Sequence, residues 1–221
     1  MASCERNSIV PEIAHRCQIL LLAETLADGS TPEQLRLALA AARVACVVVA
    51  PPHGSTLDRA EAKLLIELIQ HHGVAALVCD DAAMAKALGA DGVHLSLART
   101  GEEDVPLAYQ SARGLLGPGR IVGGAVGGSR HAAMVLGELG ADYVALGPVP
   151  GSGERLIAMV EWWSEVFEVP AVAMAAPSVA QARELAGAGA DFVAVPLALL
   201  AQDRASVREL EQALGAPERV S

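Results

Sequence analysis

Three stretches of this chain repeat one pattern: Leu88-Gly89-Ala90-Asp91-Gly92-Val93-His94-Leu95, Leu139-Gly140-Ala141-Asp142-Tyr143-Val144-Ala145-Leu146 and Ala188-Gly189-Ala190-Asp191-Phe192-Val193-Ala194-Val195. In each, a glycine falls where a helix should stop and the backbone needs positive φ. The apolar residues after the aspartate read as a short strand. The glycines lie about 50 residues apart, twice the roughly 25 to 30 residues of one strand-helix unit in a parallel barrel. The repeats are therefore alternate strands, with one further strand between each pair.

Those intervening strands are Val74 to Cys79, Ile121 to Ala125 and Pro170 to Met174, apolar or β-branched runs that end in turn residues. Upstream, Cys17 to Ala23 and Val44 to Ala50 complete a set of eight. Helical patterns fill the gaps: Pro32 to Ala42, Leu57 to His71, Ala82 to Leu88, Val105 to Leu115, Arg130 to Leu139, Leu156 to Phe167, Val179 to Ala186 and Ala205 to Leu214. Near-continuous apolar strands are what burial on both faces requires. Hydrophobic residues make up 52% and charged ones 19%, enough apolar material for such a core. The predicted fold is α/β: one TIM (β/α)8 barrel over residues 1–221, with 1–16 as an amino-terminal extension or helix. An open doubly wound sheet would carry a Gly-rich first turn, whereas the first strand here runs into Ala23-Glu24-Thr25-Leu26.

The charge balance narrows the partners. A formal net charge of −10 with no Lys/Arg cluster argues against a nucleic-acid or anionic-membrane surface and for a small molecule. No apolar run approaches the ~18 residues of a spanning helix, and the first residues lack the apolar core of a signal peptide, so a cytoplasmic protein is expected. Cys4, Cys17, Cys46 and Cys79 lack metal-ligand spacing and read as reduced thiols, the last three packed in or beside apolar strands.

Barrel sites lie at the carboxyl ends of the strands, which directs attention to the residues just past each one. Asp80 and Asp81 follow the third strand, where a carboxylate can hold Mg²⁺ beside a phosphate or simply cap the next helix. Gly147 to Arg155 forms a glycine- and proline-rich stretch after the sixth strand. With Ser152 and Arg155 it offers N–H groups, a hydroxyl and a guanidinium to an anion, or serves as a plain surface loop. Ser178 and Gln181 have capping-box spacing. His94 lies inside the fourth strand and is expected to pack within the barrel. His71 and His72 belong to the opposite rim, and Trp162 and Trp163 to a helix packed on the barrel wall.

Taken together, Asp80, Ala90-Asp91-Gly92-Val93-His94-Leu95, Gly140-Ala141-Asp142-Tyr143 with Gly147-Pro148-Val149, and Gly189-Ala190-Asp191 with Val193-Ala194-Val195 resemble the thiamine phosphate synthase and TenI family. The resemblance implies a barrel enzyme that joins an aminopyrimidine diphosphate to a thiazole phosphate. It also implies Mg²⁺ to assist departure of pyrophosphate, with Asp80 as its ligand. Substrate contacts would fall at Asp80, Gly147, Ser152, Arg155, Ala175 and Ala176.

Against that family pattern the chain departs at nearly every phosphate contact. The Gln, Arg and Lys that end the family's second strand give way to Val47-Val48-Val49-Ala50-Pro51-Pro52-His53, the Asn before Asp80 is Cys79, and the second metal carboxylate is Arg99. Ser152-Gly153-Glu154-Arg155 stands for a loop rich in Thr and Lys, Ala175-Ala176 for paired glycines, and Pro196-Leu197 for Val-Ser. The expectation is a weak Mg²⁺ site, a small phosphorylated ligand, and little or no synthase turnover. Two alternatives stand beside it. One is an active synthase using His53, Arg99 and Arg155 as relocated cations. The other is a TenI-like thiazole tautomerase, for which Gly127 and Gly128 occupy the place of the proton-transfer histidine and His131 follows slightly later.

Overall fold

The computed structural model describes residues 17–52, 55–149, 153–174, 178–202 and 204–215. Strands β1 (Gln18–Glu24), β2 (Val44–Ala50), β3 (Ala75–Cys79), β4 (Gly92–Ser96), β5 (Ile121–Ala125), β6 (Val144–Leu146), β7 (Ala171–Ala173) and β8 (Phe192–Pro196) pair in sequence order. Every pairing is parallel, and β8 returns to β1 to close the barrel. Helices α1 (Thr31–Ala41), α2 (Arg59–His71), α3 (Ala82–Leu88), α4 (Val105–Leu116), α5 (Arg130–Glu138), α6 (Gly153–Val166), α7 (Val179–Gly187), α8 (Leu197–Gln202) and α9 (Arg204–Leu214) lie between or after them.

Helix α2 shows why such segments form. Asp58 caps it by accepting from the N–H groups of Ala60 and Glu61, both at 2.9 Å. Ala62, Leu65, Ile66 and Ile69, at helical spacing, are buried on one face. Along β1 the alternation of Ile19, Leu21 and Ala23 with Leu20 and Leu22 sorts side chains between two cores. The larger core lies between sheet and helices. The smaller fills the barrel interior with Leu20, Val48, Leu77, Ala125, Tyr143, Ala145, Val172 and Ala194.

The repeated aspartates have one structural task. Asp91 donates its N–H to the Ala76 carbonyl at 2.8 Å and accepts the Ala76 N–H on Oδ2 at 2.8 Å. Asp142 does the same with Val122 (3.0 and 2.7 Å), and Asp191 with Ala171 (3.0 and 2.7 Å). Each closes the start of the preceding strand at a buried residue, whose N–H would otherwise lack a partner. The glycines before them adopt positive φ, 74° at Gly89, 83° at Gly140 and 97° at Gly189.

One expected boundary changes and one helix is added. Helix α6 begins at Gly153, so Gly153, Glu154 and Arg155 belong to its first turn and not to the preceding loop. A carboxylate at Glu154 suits the positive end of a helix. The short helix α8, outside the helices expected from the sequence, follows β8 directly. Pro196 ends β8 there, and Leu197 and Leu200 turn a buried face inward.

Candidate functional site

The carboxyl rim is built in two halves. On the β3–β4 side, Asp80 follows β3 in the left-handed region at φ 55° and is the non-glycine residue with positive φ among the described residues. Its N–H donates to the His94 carbonyl at 2.9 Å, and its Oδ1 accepts the N–H of Ser96 at 2.6 Å. Cys79 points its thiol at the other carboxylate oxygen, Sγ to Oδ2 at 3.5 Å, with the Ser96 hydroxyl 3.4 Å from the same sulfur. Burial pushes the Cys79 thiol up to about 11 against the opposing pull of the Ser96 hydroxyl, with Asp80 and Glu24 adding negative charge nearby. It is therefore a protonated donor at neutral pH. Capping of α3 falls to Asp81, which accepts the N–H of Met84 at 2.7 Å. Of the two adjacent aspartates, Asp81 is thus the helix cap, and Asp80 is bonded to Ser96 and Cys79.

Below this cluster, the His94 ring packs inside the barrel as expected, its Nδ1 2.6 Å from the Tyr143 hydroxyl. Burial lowers His94 to about 4, with Asp80 pulling weakly the other way, so the imidazole is neutral. Burial likewise raises Tyr143 well above its ordinary value. The ring of Tyr143 lies over Gly123, where a β-carbon would come within 2.4 Å of it. The partnership joins β4 to the entry of β6 across β5.

On the β5–β6 side the rim is backbone. Gly127 and Gly147, at φ 64° and 87°, form an antiparallel bridge in which the Gly147 N–H donates to the Gly127 carbonyl at 2.7 Å. A β-carbon at Gly147 would meet Leu156 at 3.0 Å and the Met174 carbonyl at 3.3 Å. Ala98 and Val149 pack over Gly127 and Gly128. Arg155 is exposed in the first turn of α6, and His131 is exposed in the first turn of α5. At the end of β2, Ala50, Pro51 and Pro52 are half-buried. His53, Ser152, Ala175, Ala176 and Pro177 lie outside the described residues.

Of the sequence-derived site residues, the structure places Asp80 and Gly147 on the same rim and Arg155 in the helix that follows it. Sequence reading had not paired Asp80 with Ser96, although Cys79 and His94 sit opposite each other in the β3–β4 register. Alignment of the two strand ends would have exposed that relation. A cavity of about 310 Å³ lies at the other end of the barrel, among Cys17, Gln18, Arg43, Val44 and Glu211. It lies at the amino ends of β1 and β2, away from the rim where barrel chemistry takes place. Among the described residues, no three His, Cys, Asp or Glu side chains converge as a metal-binding group, and no helix is long and apolar enough to cross a membrane.

Comparison with known proteins agrees with this architecture. Residues 19–199 match the family model described as thiamine monophosphate synthase. A protein of Erythrobacter litoralis named thiamine-phosphate synthase is 37% identical over 212 residues, covering 90% of this chain and 96% of that one. Its counterpart of the same name from Rhodospirillum centenum is 39% identical over 189 residues, covering 81% and 87%. In fold, the chain is similar to the solved thiamine phosphate pyrophosphorylase of Pyrococcus furiosus, with a TM-score of 0.71 at 23% identity over 90% of this chain and 96% of that one. Repeats, barrel and family match converge: this chain belongs to the thiamine monophosphate synthase family.

Proposed function

We propose that this family member binds a small phosphorylated ligand of thiamine biosynthesis at its carboxyl rim and makes thiamine phosphate far more slowly than an ordinary synthase. The observation that carries this reading is the end of β2. Where the family resemblance calls for Gln, Arg and Lys, the stretch Val47 to His53 offers His53 alone as a candidate cation, and its two prolines lack an N–H. Departure of pyrophosphate develops negative charge that preorganised donors must meet. Losing one such donor costs ~10²-fold or more in rate, and losses at one site need not multiply. The Thr- and Lys-rich loop is likewise reduced to Ser152 and Arg155 as the best remaining anion contact.

The second reading is an active synthase with relocated cations, Arg99 and Arg155 among them. It draws support from relatives named for that activity at 37% and 39% identity across most of the chain. One assay separates the two. Purified protein is given both phosphorylated substrates and Mg²⁺, thiamine phosphate is followed as its fluorescent oxidation product, and a strain lacking its own synthase is tested for rescue. Turnover at least ~10²-fold below an ordinary synthase, without rescue, is the expected result. Robust turnover with rescue, abolished by Arg155→Ala, would establish the second reading.

A further inference from the structure

We infer that Asp80, at the position where the family pattern places a Mg²⁺ ligand, serves in this chain as a clasp that locks the end of β3 to the end of β4 and does not hold a divalent cation. Both oxygens of its carboxylate already have donors. Oδ1 takes the Ser96 N–H at 2.6 Å and Oδ2 faces the Cys79 thiol at 3.5 Å. The backbone completes the clasp, with the Asp80 N–H on the His94 carbonyl at 2.9 Å.

The arrangement repeats, at the carboxyl rim, the device used by Asp91, Asp142 and Asp191 at the amino rim. In each, an aspartate gives its N–H to the neighbouring strand and receives an N–H from it on its carboxylate. At Asp80 the backbone makes this pair of bonds in the left-handed region, at φ 55°, which Asp tolerates better than most side chains.

The surroundings fit Mg²⁺ poorly. This ion demands near-octahedral oxygen ligands and is held by carboxylates, carbonyls and water, whereas the atom facing Asp80 Oδ2 is the sulfur of Cys79 at 3.5 Å, a soft donor unsuited to it. Ser96 opens the short 3-10 turn Leu97–Arg99, which brings a guanidinium, not a second carboxylate, into the segment that the clasp secures. Asp80 therefore acts as a positioning residue for this turn.

The inference does not depend on whether the chain turns over substrate, and its test uses the purified full chain without substrate. Mn²⁺, a spectroscopic stand-in for Mg²⁺, is titrated into wild type, Asp80→Asn and Asp80→Gly while its electron paramagnetic resonance signal is followed. Thermal melting and exchange of the Ser96 amide are measured on the same proteins. Asn keeps an acceptor oxygen and tolerates positive φ, so Asp80→Asn should melt within about 2 °C of wild type. Gly is unstrained at this φ but has no acceptor, so Asp80→Gly should melt about 3 to 6 °C lower and exchange the Ser96 amide at least tenfold faster. No saturable Mn²⁺ binding should be lost on going from wild type to Asp80→Asn. Saturable binding in wild type that Asp80→Asn removes would overturn the inference, as would unchanged Ser96 exchange in Asp80→Gly. A chain that proved to be an active synthase would refute the proposed slow turnover while leaving these measurements to decide the clasp.

Discussion

His94 shares its Nδ1 hydrogen bond with Tyr143 in the barrel interior, and that burial makes folding sensitive to acid. Its value falls from 6.5 to about 4 in the folded chain because desolvation penalises the imidazolium. The unfolded chain therefore takes up a proton first as pH drops. The stability contributed by neutral His94 is whole above about pH 6.5 and is lost as pH falls toward 4, about 3 kcal/mol in all. Between pH 7 and pH 5 this predicts a loss of about 2 kcal/mol in urea unfolding free energy. A His94→Gln variant should start less stable but lose correspondingly less over the same interval. Parallel pH dependences for the two proteins would remove His94 as the source.

At the scale of elements, the aspartate closures differ in what else they hold. Asp91→Ala leaves the Ala76 N–H without its carboxylate, at a cost of about 1 to 3 kcal/mol, and releases the exposed Gln70 amide that donates to the same oxygen at 3.1 Å. Asp142 also receives Arg113 of α4, at 2.5 Å, while the same guanidinium bonds the carbonyls of Gly117 and Arg120 and the Tyr109 hydroxyl. Asp142→Ala should therefore cost more than Asp91→Ala, by up to about 1 kcal/mol given the partial exposure of the ion pair. Asp91→Asn, which retains an acceptor, should lie closest to wild type. Denaturant midpoints with unchanged slopes check the order, and an Asp142→Ala no worse than Asp91→Ala would show that Arg113 is held by its carbonyl contacts alone.

Across the molecule, closure of β8 onto β1 leaves no free edge in the described sheet, and the apolar excess behind a mean hydropathy of +0.38 goes into two nested cores. What faces water is acidic, with a net charge of −10. At pH 7 and about 0.1 M salt the protein should pass through heparin and single-stranded DNA columns unretained and bind an anion exchanger. Retention on either polyanion would mean that a local basic surface outweighs the net charge, and would contradict the expectation of a small-molecule partner without nucleic acid.

The barrel was legible because its signals are local. Glycine at a helix end, aspartate at a strand start and an apolar run after it lie within eight residues, and their recurrence at double the strand-helix spacing requires parallel neighbours whatever the distant contacts. Sequence alone therefore determined the strand order, the positions of the helices other than α8 to within a few residues, and the burial of His94. Tertiary structure alone decided the rest. Whether Asp80 or Asp81 caps α3, whether a carboxylate oxygen is spoken for, and why Gly123 has no side chain depend on which residues face each other across strands. Ser96 is 16 residues from Asp80, and Tyr143 is 49 from His94. Those distances are closed by barrel register and by the left-handed turn at Asp80, and neither leaves a periodic mark on the chain.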